Sequence, residues 1–259
     1  MILLPGGHGF VGSAFSRLFA ARGIAHESIT RASYAQAVGR TGTILINASA
    51  NSRKYLAEQD WHADFEASVA SVARTLRDFT VDLYVLISSV DVYNVLDDPA
   101  QNGEDAVIDP FRLPTYGFHK YIAEACVRRH APRWLIVRLA GMVGPGLKKN
   151  PVFDVLHGRP LSIHPDSAYQ FMSTDAAAEV VWRVIESKTT NRVVNVCGHG
   201  LISPRAISEL AGKPLAVSAE AAASPPRVVH INTSLASRFA ALPDTTATVA
   251  EFVSARSLA

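Results

Sequence analysis

Cysteine is scarce, with two in 259 residues, Cys126 and Cys197, far apart in the chain. No basic segment followed by an apolar one opens the sequence, so a disulfide-framed secreted fold is not expected and a reducing cytoplasmic setting is. Long apolar runs are missing too. The longest, residues 83–87, falls far short of the ~20 residues that a membrane-spanning helix needs. Basic residues never run beyond the pairs Arg128-Arg129 and Lys148-Lys149, and 25 Lys and Arg against 23 Asp and Glu leave a net charge of +2. Neither nucleic acid nor an anionic membrane is therefore an expected partner; a small-molecule substrate is. Nine histidines are present, but none lies in an H-E-x-x-H or close Cys/His arrangement, so no metal site is expected.

The composition, 48% apolar and 19% charged with a mean hydropathy of +0.13, is that of an ordinary globular protein and excludes disorder, collagen and coiled coil. Short β-type runs alternate with helical patterns from the start, which predicts βαβ units and a parallel sheet. Strands are expected over 1–4, 24–29, 43–47, 82–87, 134–139 and 192–196. Helices are expected from Val11, through Phe15, Leu18 and Phe19, to a stop at Gly23, and over 61–79, 116–130 and 175–187. The Ala/Ser/Pro stretch 219–226 reads as a surface loop. The fold class is α/β, a Rossmann-type doubly wound parallel sheet over 1–145, followed by a small C-terminal substrate-binding lobe over 146–259 whose segments near 171–198 return to the core.

Directly after the first strand, Gly6-Gly7-His8-Gly9-Phe10-Val11-Gly12 satisfies a dinucleotide-binding spacing and opens a helix. Glycines there permit a tight turn and let backbone amides approach a pyrophosphate at the positive end of the helix dipole. Gly6, Gly9, Phe10, Val11 and Gly12 are the expected cradle. Beyond the second strand stand Thr30 and Arg31, with Glu27 inside the strand rather than at its tip. An arginine at that place accommodates a 2′-phosphate, so NADP is expected over NAD, with Arg31 and Ser33 on the phosphate.

Tyr116 and Lys120 are four apart and share one helix face. Ser88-Ser89-Val90-Asp91-Val92-Tyr93 lies where the fourth strand ends, and ligands of open α/β sheets bind at such ends. A free phenol, with a pKa of about 10, is a poor base at neutral pH, and Lys120 supplies the cation that would favour the phenolate.

With these residues, with Ile46-Asn47-Ala48-Ser49-Ala50, and with Arg138 followed by Gly144-Pro145-Gly146, the chain resembles the extended short-chain dehydrogenase/reductase family. That family includes the NAD-dependent epimerase/dehydratase and sugar-nucleotide reductase groups. The resemblance implies that Ser89 orients the substrate oxygen and that Tyr116 passes the proton. It also implies that Lys120 holds the nicotinamide ribose and that Ala48 and Ser49 line the cofactor. Departures narrow the chemistry. Val90 stands where dehydratases have their first acid, leaving Asp91 as a single carboxylate or a turn cap, and Gly141 and Gln170 replace residues of the sugar-nucleotide pattern.

Asp91, Gly141, Lys148 and Gln170 are the candidate substrate residues. Lys148 and Lys149 suit a phosphate-bearing substrate, whereas Asp97, Asp98, Glu104, Asp105 and Asp109 form a solvated loop or a lid that disfavours anions. The expected activity is NADP(H)-dependent carbonyl reduction or alcohol oxidation on a small polar substrate or modified sugar. The alternatives are an epimerase that retains its cofactor and a non-catalytic NADP-binding regulatory protein. The apolar faces of 61–79 and 116–130 are expected either to pair helices in a homodimer or to cover the sheet.

Overall fold

The computed structural model describes residues 1–52 and 54–257. Its central sheet contains β1 (Ile2–Pro5), β2 (His26–Ile29), β3 (Thr41–Asn47), β4 (Thr80–Ser89) and β5 (Trp134–Leu139). Three short strands follow, β6 (Gly141–Val143), β7 (Ala168–Tyr169) and β8 (Phe171–Ser173), before β9 (Arg192–Val196) returns to the sheet; β10 (Val228–Val229) pairs with β7. The lateral order is β2-β1-β3-β4-β5-β9, and every neighbouring pair is parallel. The chain leaves β1 in both directions, so the crevice at the strand C-termini opens between β1 and β3.

Helices cover both faces of this sheet, and its strands read as nearly continuous apolar runs because neither face meets water. On one face α1 (Gly12–Ala21) and α8 (Thr174–Glu186) bury Phe15, Phe19, Val181 and Ile185 against Leu4, Val85, Val137 and Val194. On the other, α5 (Ser71–Asp78) and α6 (Thr115–His130) bury Val72, Ala123 and Val127 against Leu3, Leu45, Leu86 and Ile136. Apolar residues of 72–79 and of 116–130 thus pack on the sheet, while Trp61 stands exposed. A separate apolar cluster of Val143, Val152, Phe153, Phe171, Ile207 and Val249 holds the C-terminal segments together.

Between α3 (Lys54–Gln59) and α5 the helix expected over 61–79 runs without a break, but its middle is not α-helical. It is α4 (Trp61–Phe65), then a π turn at Glu66–Ala70, then α5. Two expectations need correction. The first part of 219–226 is helical, because the Ser218 hydroxyl accepts from the Ala221 amide at 3.1 Å and starts an alanine-rich turn. The acidic stretch is not a free solvated loop. The Glu104 carboxylate accepts from the Asn195 amide at 3.0 Å, and buried Asn102 bonds His230 O at 2.9 Å and Asn232 N at 2.8 Å. These bonds fasten the loop to the C-terminal segment.

Candidate active site

At the end of β1 the chain turns at Gly6 with φ +82°, in the left-handed region that glycine favours. A Cβ at Gly6 would stand 2.6 Å from the Ala48 carbonyl and 2.8 Å from the Ser49 Cα; at Gly12 it would stand 2.1 Å from the Gly6 oxygen. The cradle is therefore pressed against the end of β3 and against itself, so that backbone lines the crevice. No side chain caps α1, and its first turn carries no acid, which leaves the positive dipole end without a competing carboxylate. Phe10 packs against both the sheet core and the C-terminal cluster.

Past β2, Thr30 and Ser33 bond each other, the Thr30 amide to Ser33 Oγ at 2.9 Å and the Ser33 amide to Thr30 Oγ1 at 3.2 Å. Arg31 is exposed within that turn. Glu27 lies inside β2 opposite Leu3 and pairs with Arg40. An uncapped helix start behind a tightly folded glycine turn fits the pyrophosphate of a nicotinamide dinucleotide.

Ser89 ends β4 and its hydroxyl accepts from the Asp91 amide at 3.2 Å, starting a 3-10 turn over Val90–Val92. The first turn of α6 lies tight on this turn: a Cβ at Gly117 would come within 2.2 Å of the Asp91 carbonyl oxygen. That approach brings Tyr116, 8% exposed, and Lys120, 5% exposed, to the end of β4. The Lys120 Nζ stands 5.4 Å from the Tyr116 ring centre.

Burial pulls the Lys120 ammonium down to about 8, although the carboxylates of Asp64, Asp91 and Glu124 hold it up. The expected acidification of Tyr116 by Lys120 does not govern this site. Burial first, and then Asp91 and Asp64, push the phenol well above its ordinary range, while the Ser89 hydroxyl draws it down. Tyr116 therefore keeps its proton.

A cavity of about 260 Å³ opens over Tyr116, lined by Lys54, Tyr55, Asp91, Gly117 and Arg227 among others. Asp91 is its hub. Its carboxylate accepts from the Ser89 hydroxyl at 2.8 Å and pairs with Lys54 at 2.5 Å and with Arg227 at 3.4 Å. Burial alone would raise the Asp91 carboxyl, but Lys54, Ser89 and Arg227 bring it below the usual carboxylate range.

Gly141, Gln170 and Lys148 are not among the residues lining this cavity. Gly141 pairs with Phe171, and a Cβ there would meet the Gln170 carbonyl at 2.6 Å. The Gln170 amide is engaged internally, donating to Gly198 O at 2.9 Å and accepting from Ile231 N at 2.6 Å. Lys148 is exposed beyond the Gly-Pro-Gly turn.

Sequence reading missed Lys54, Arg227 and the buried pair Asp64–His119. Among them only His119 carried a signal, a polar ring directly between Tyr116 and Lys120 on their helix.

No protein-family model matches the sequence, and none of the curated proteins matches it significantly. Solved structures do. The chain is 18% identical to a UDP-galactose 4-epimerase, with a TM-score of 0.81 over 100% of this chain and 99% of the other. It is 15% identical to a UDP-glucuronic acid 4-epimerase from Bacillus cereus in complex with UDP-glucuronic acid and NAD, with a TM-score of 0.78 over 98% and 99%. Identity is 16% to a dTDP-4-dehydrorhamnose reductase from Bacillus anthracis in complex with NADP, with a TM-score of 0.76 over 97% and 96%. At such identities the likeness establishes the fold. No helix among the described residues is long and apolar enough to cross a membrane. Over nearly its whole length, this chain shares a Rossmann-type α/β fold with these two epimerases and this reductase.

Proposed function

We propose that the protein is an NADP(H)-dependent oxidoreductase that reduces a carbonyl group of a small polar substrate, a modified sugar being the favoured class. The observation that carries this reading is the burial of Tyr116 and Lys120 at the end of β4, beside Ser89 and on the sheet edge that also holds the glycine cradle. The backbone of Gly6, Gly9, Phe10, Val11 and Gly12, together with Ala48 and Ser49, would hold the dinucleotide, Arg31 its 2′-phosphate and Lys120 its ribose. When bound, the nicotinamide supplies hydride exchange with a substrate carbon.

The protein's own part is proton management. A phenol held protonated by burial and two carboxylates is a proton donor, as the oxygen of a carbonyl undergoing reduction requires. Ser89 would orient that oxygen once its hydroxyl turns from Asp91. A second reading, an epimerase that retains its cofactor, is favoured by the two 4-epimerases among the similar structures.

Thermal-shift titration tests the cofactor assignment. NADPH is expected to stabilise the protein more than NADH does, and Arg31→Ser to erase the difference; equal stabilisation of the wild type by both would overturn it. Tyr116→Phe is expected to keep NADPH binding while turnover of a panel of sugar-derived carbonyls falls about 10²- to 10⁴-fold. Net loss of dihydronicotinamide absorbance marks a reductase; product formed with no net loss marks the epimerase.

A further inference from the structure

The cavity over Tyr116 is walled by two cations for which the proton and hydride steps have no use. Lys54 and Glu58, four apart on α3, both line it. The Lys54 ammonium straddles the Asp91 carboxylate, 2.6 Å from Oδ1 and 2.5 Å from Oδ2. Arg227 arrives from a distant part of the chain. Its amide donates to the hydroxyl of buried Ser167 at 3.0 Å and its carbonyl accepts from the Ala168 amide at 2.8 Å, so its backbone is fixed on β7 directly before β10. The guanidinium then reaches Asp91 Oδ1 through Nη2 at 3.4 Å. So long a contact engages little of a planar fork that has five N–H donors.

Two carboxylates line the same cavity, but only one of them answers these cations. Both Glu58 oxygens are taken by Thr115, from its amide at 3.1 Å and its hydroxyl at 3.0 Å. They cap α6, a 16-residue helix with no side-chain bond from its own N-cap residue, and the positive end of that helix offsets the Glu58 charge. Asp91 therefore faces Lys54 and Arg227 by itself, and one positive charge is left over. It rests on side chains 55% and 49% exposed, and they grip the carboxylate that the Ser89 hydroxyl also bonds, at 2.8 Å.

We propose that Lys54 and Arg227 hold a carboxylate of the substrate, which makes the compound reduced a small oxo acid, an acid sugar included. This assignment rests on the carbonyl-reduction reading and narrows it. A single left-over charge matches a carboxylate, whereas a phosphate monoester carries about −1.5 to −2 near neutrality and exceeds it. The cavity, about 260 Å³, is smaller than the roughly 300–1,000 Å³ of sites that enclose drug-sized ligands, which suits a body of one sugar ring or less. The carboxylate docks on the water-facing donors of both cations, Asp91 keeps those cations in place, and the carbonyl end lies toward Ser89 and Tyr116.

Calorimetric titration of the full-length protein, with and without NADP, compares glucuronate and short 2-oxo acids, each with its uncharged amide. At least one acid is expected to bind about tenfold more tightly than its amide, the joint effect of two partly exposed charge pairs. The double variant Lys54→Met, Arg227→Met is expected to bind the two alike. No preference for any acid in the wild type, or a preference that survives in the folded double variant, overturns the proposal. Tighter binding of glucose 6-phosphate than of every acid overturns it as well.

Should the double variant not fold, the wild type decides. Rising ionic strength is expected to weaken the acid and spare the amide, and a preference indifferent to salt overturns the proposal. If acids bind through these two side chains but none of them oxidises NADPH or NADH, the reductase reading fails and the carboxylate site stands. If acids and amides are bound and reduced alike, the reductase reading stands and the carboxylate site fails.

Discussion

Two carboxylates flank the Tyr116–Lys120 face, each held by two cations, and the protein uses them in opposite ways. Glu124 is 1% exposed and receives the buried Arg138 guanidinium through two bonds, at 3.0 and 2.7 Å, with the Ser88 hydroxyl at 2.7 Å. The Arg138 guanidinium also lies 4.6 Å from the Tyr93 ring centre. This pair welds α6 to β4 and β5. Asp91 is 10% exposed, but its cations Lys54 and Arg227 are 55% and 49% exposed and come from distant segments. It spans the opening of a cavity instead of filling a core. The same chemistry thus makes a fixed joint where both partners are dry and a separable latch where the cations stand in water, because water competes only at the latter.

The largest effect is expected at the joint. Glu124→Ala would leave the Arg138 charge buried without its partner, and Arg138 already has one nitrogen, Nη1, with no hydrogen-bond partner. Losing one member of a buried pair costs about 3–5 kcal/mol, measured as a fall in urea-denaturation stability at constant m-value. A loss below about 1 kcal/mol would make the joint no stronger than a surface pair and would break the contrast.

The next effect concerns what the two acids do for Lys120 between them. Its ammonium is pulled down to about 8 and is present below that pH and lost above it. NADPH affinity, if it relies on that charge, is expected to hold up to about pH 8 and then to weaken by up to about tenfold per pH unit. Titration calorimetry between neutral and alkaline pH checks this. Asp91 supports the ammonium more than Glu124 does, so Asp91→Asn should move the onset of the loss to lower pH further than Glu124→Gln. Affinity flat across the range would remove Lys120 from cofactor binding.

The sequence revealed these two regions unequally. Strand, glycine turn and helix follow one another over residues 2–21, and local rules of alternation, helical period and Gly23 as a stop are enough to place them. Tyr116 and Lys120 were legible because one helical turn joins them. The latch was not, since Arg227 is 136 positions from Asp91 and no local rule relates the two. Asp64 and His119 are 55 apart, and their meeting depends on a π turn that an α-helical period cannot anticipate. The short helix at Ala219–Ala223 went unread because alanine and serine composition suggested a loop, whereas a single serine cap decided it. Gln170 and Gly141 differ from a family pattern only as isolated letters, and their internal hydrogen bonding and packing appear only in three dimensions.

The smallest effect is expected at the latch, and it sharpens the contrast from the other side. Lys54→Met should change stability by only about 0.2–1 kcal/mol, because its partly exposed ammonium gains little from pairing in water, and the change should shrink further in salt. Asp91 nevertheless has a depressed carboxyl. Its contribution to stability is present above the ordinary carboxylate pKa of about 4 and is lost as pH falls through the depressed value. In the double variant Lys54→Met, Arg227→Met that contribution should vanish. Burial would then raise the Asp91 carboxyl, so the double variant would gain less stability than the wild type on raising the pH through the carboxylate range. Chemical denaturation of both proteins around the ordinary carboxylate pKa of about 4 reads that difference. A double variant whose pH dependence matched the wild type would mean that Lys54 and Arg227 do not hold Asp91 in solution, and the latch would be no latch at all.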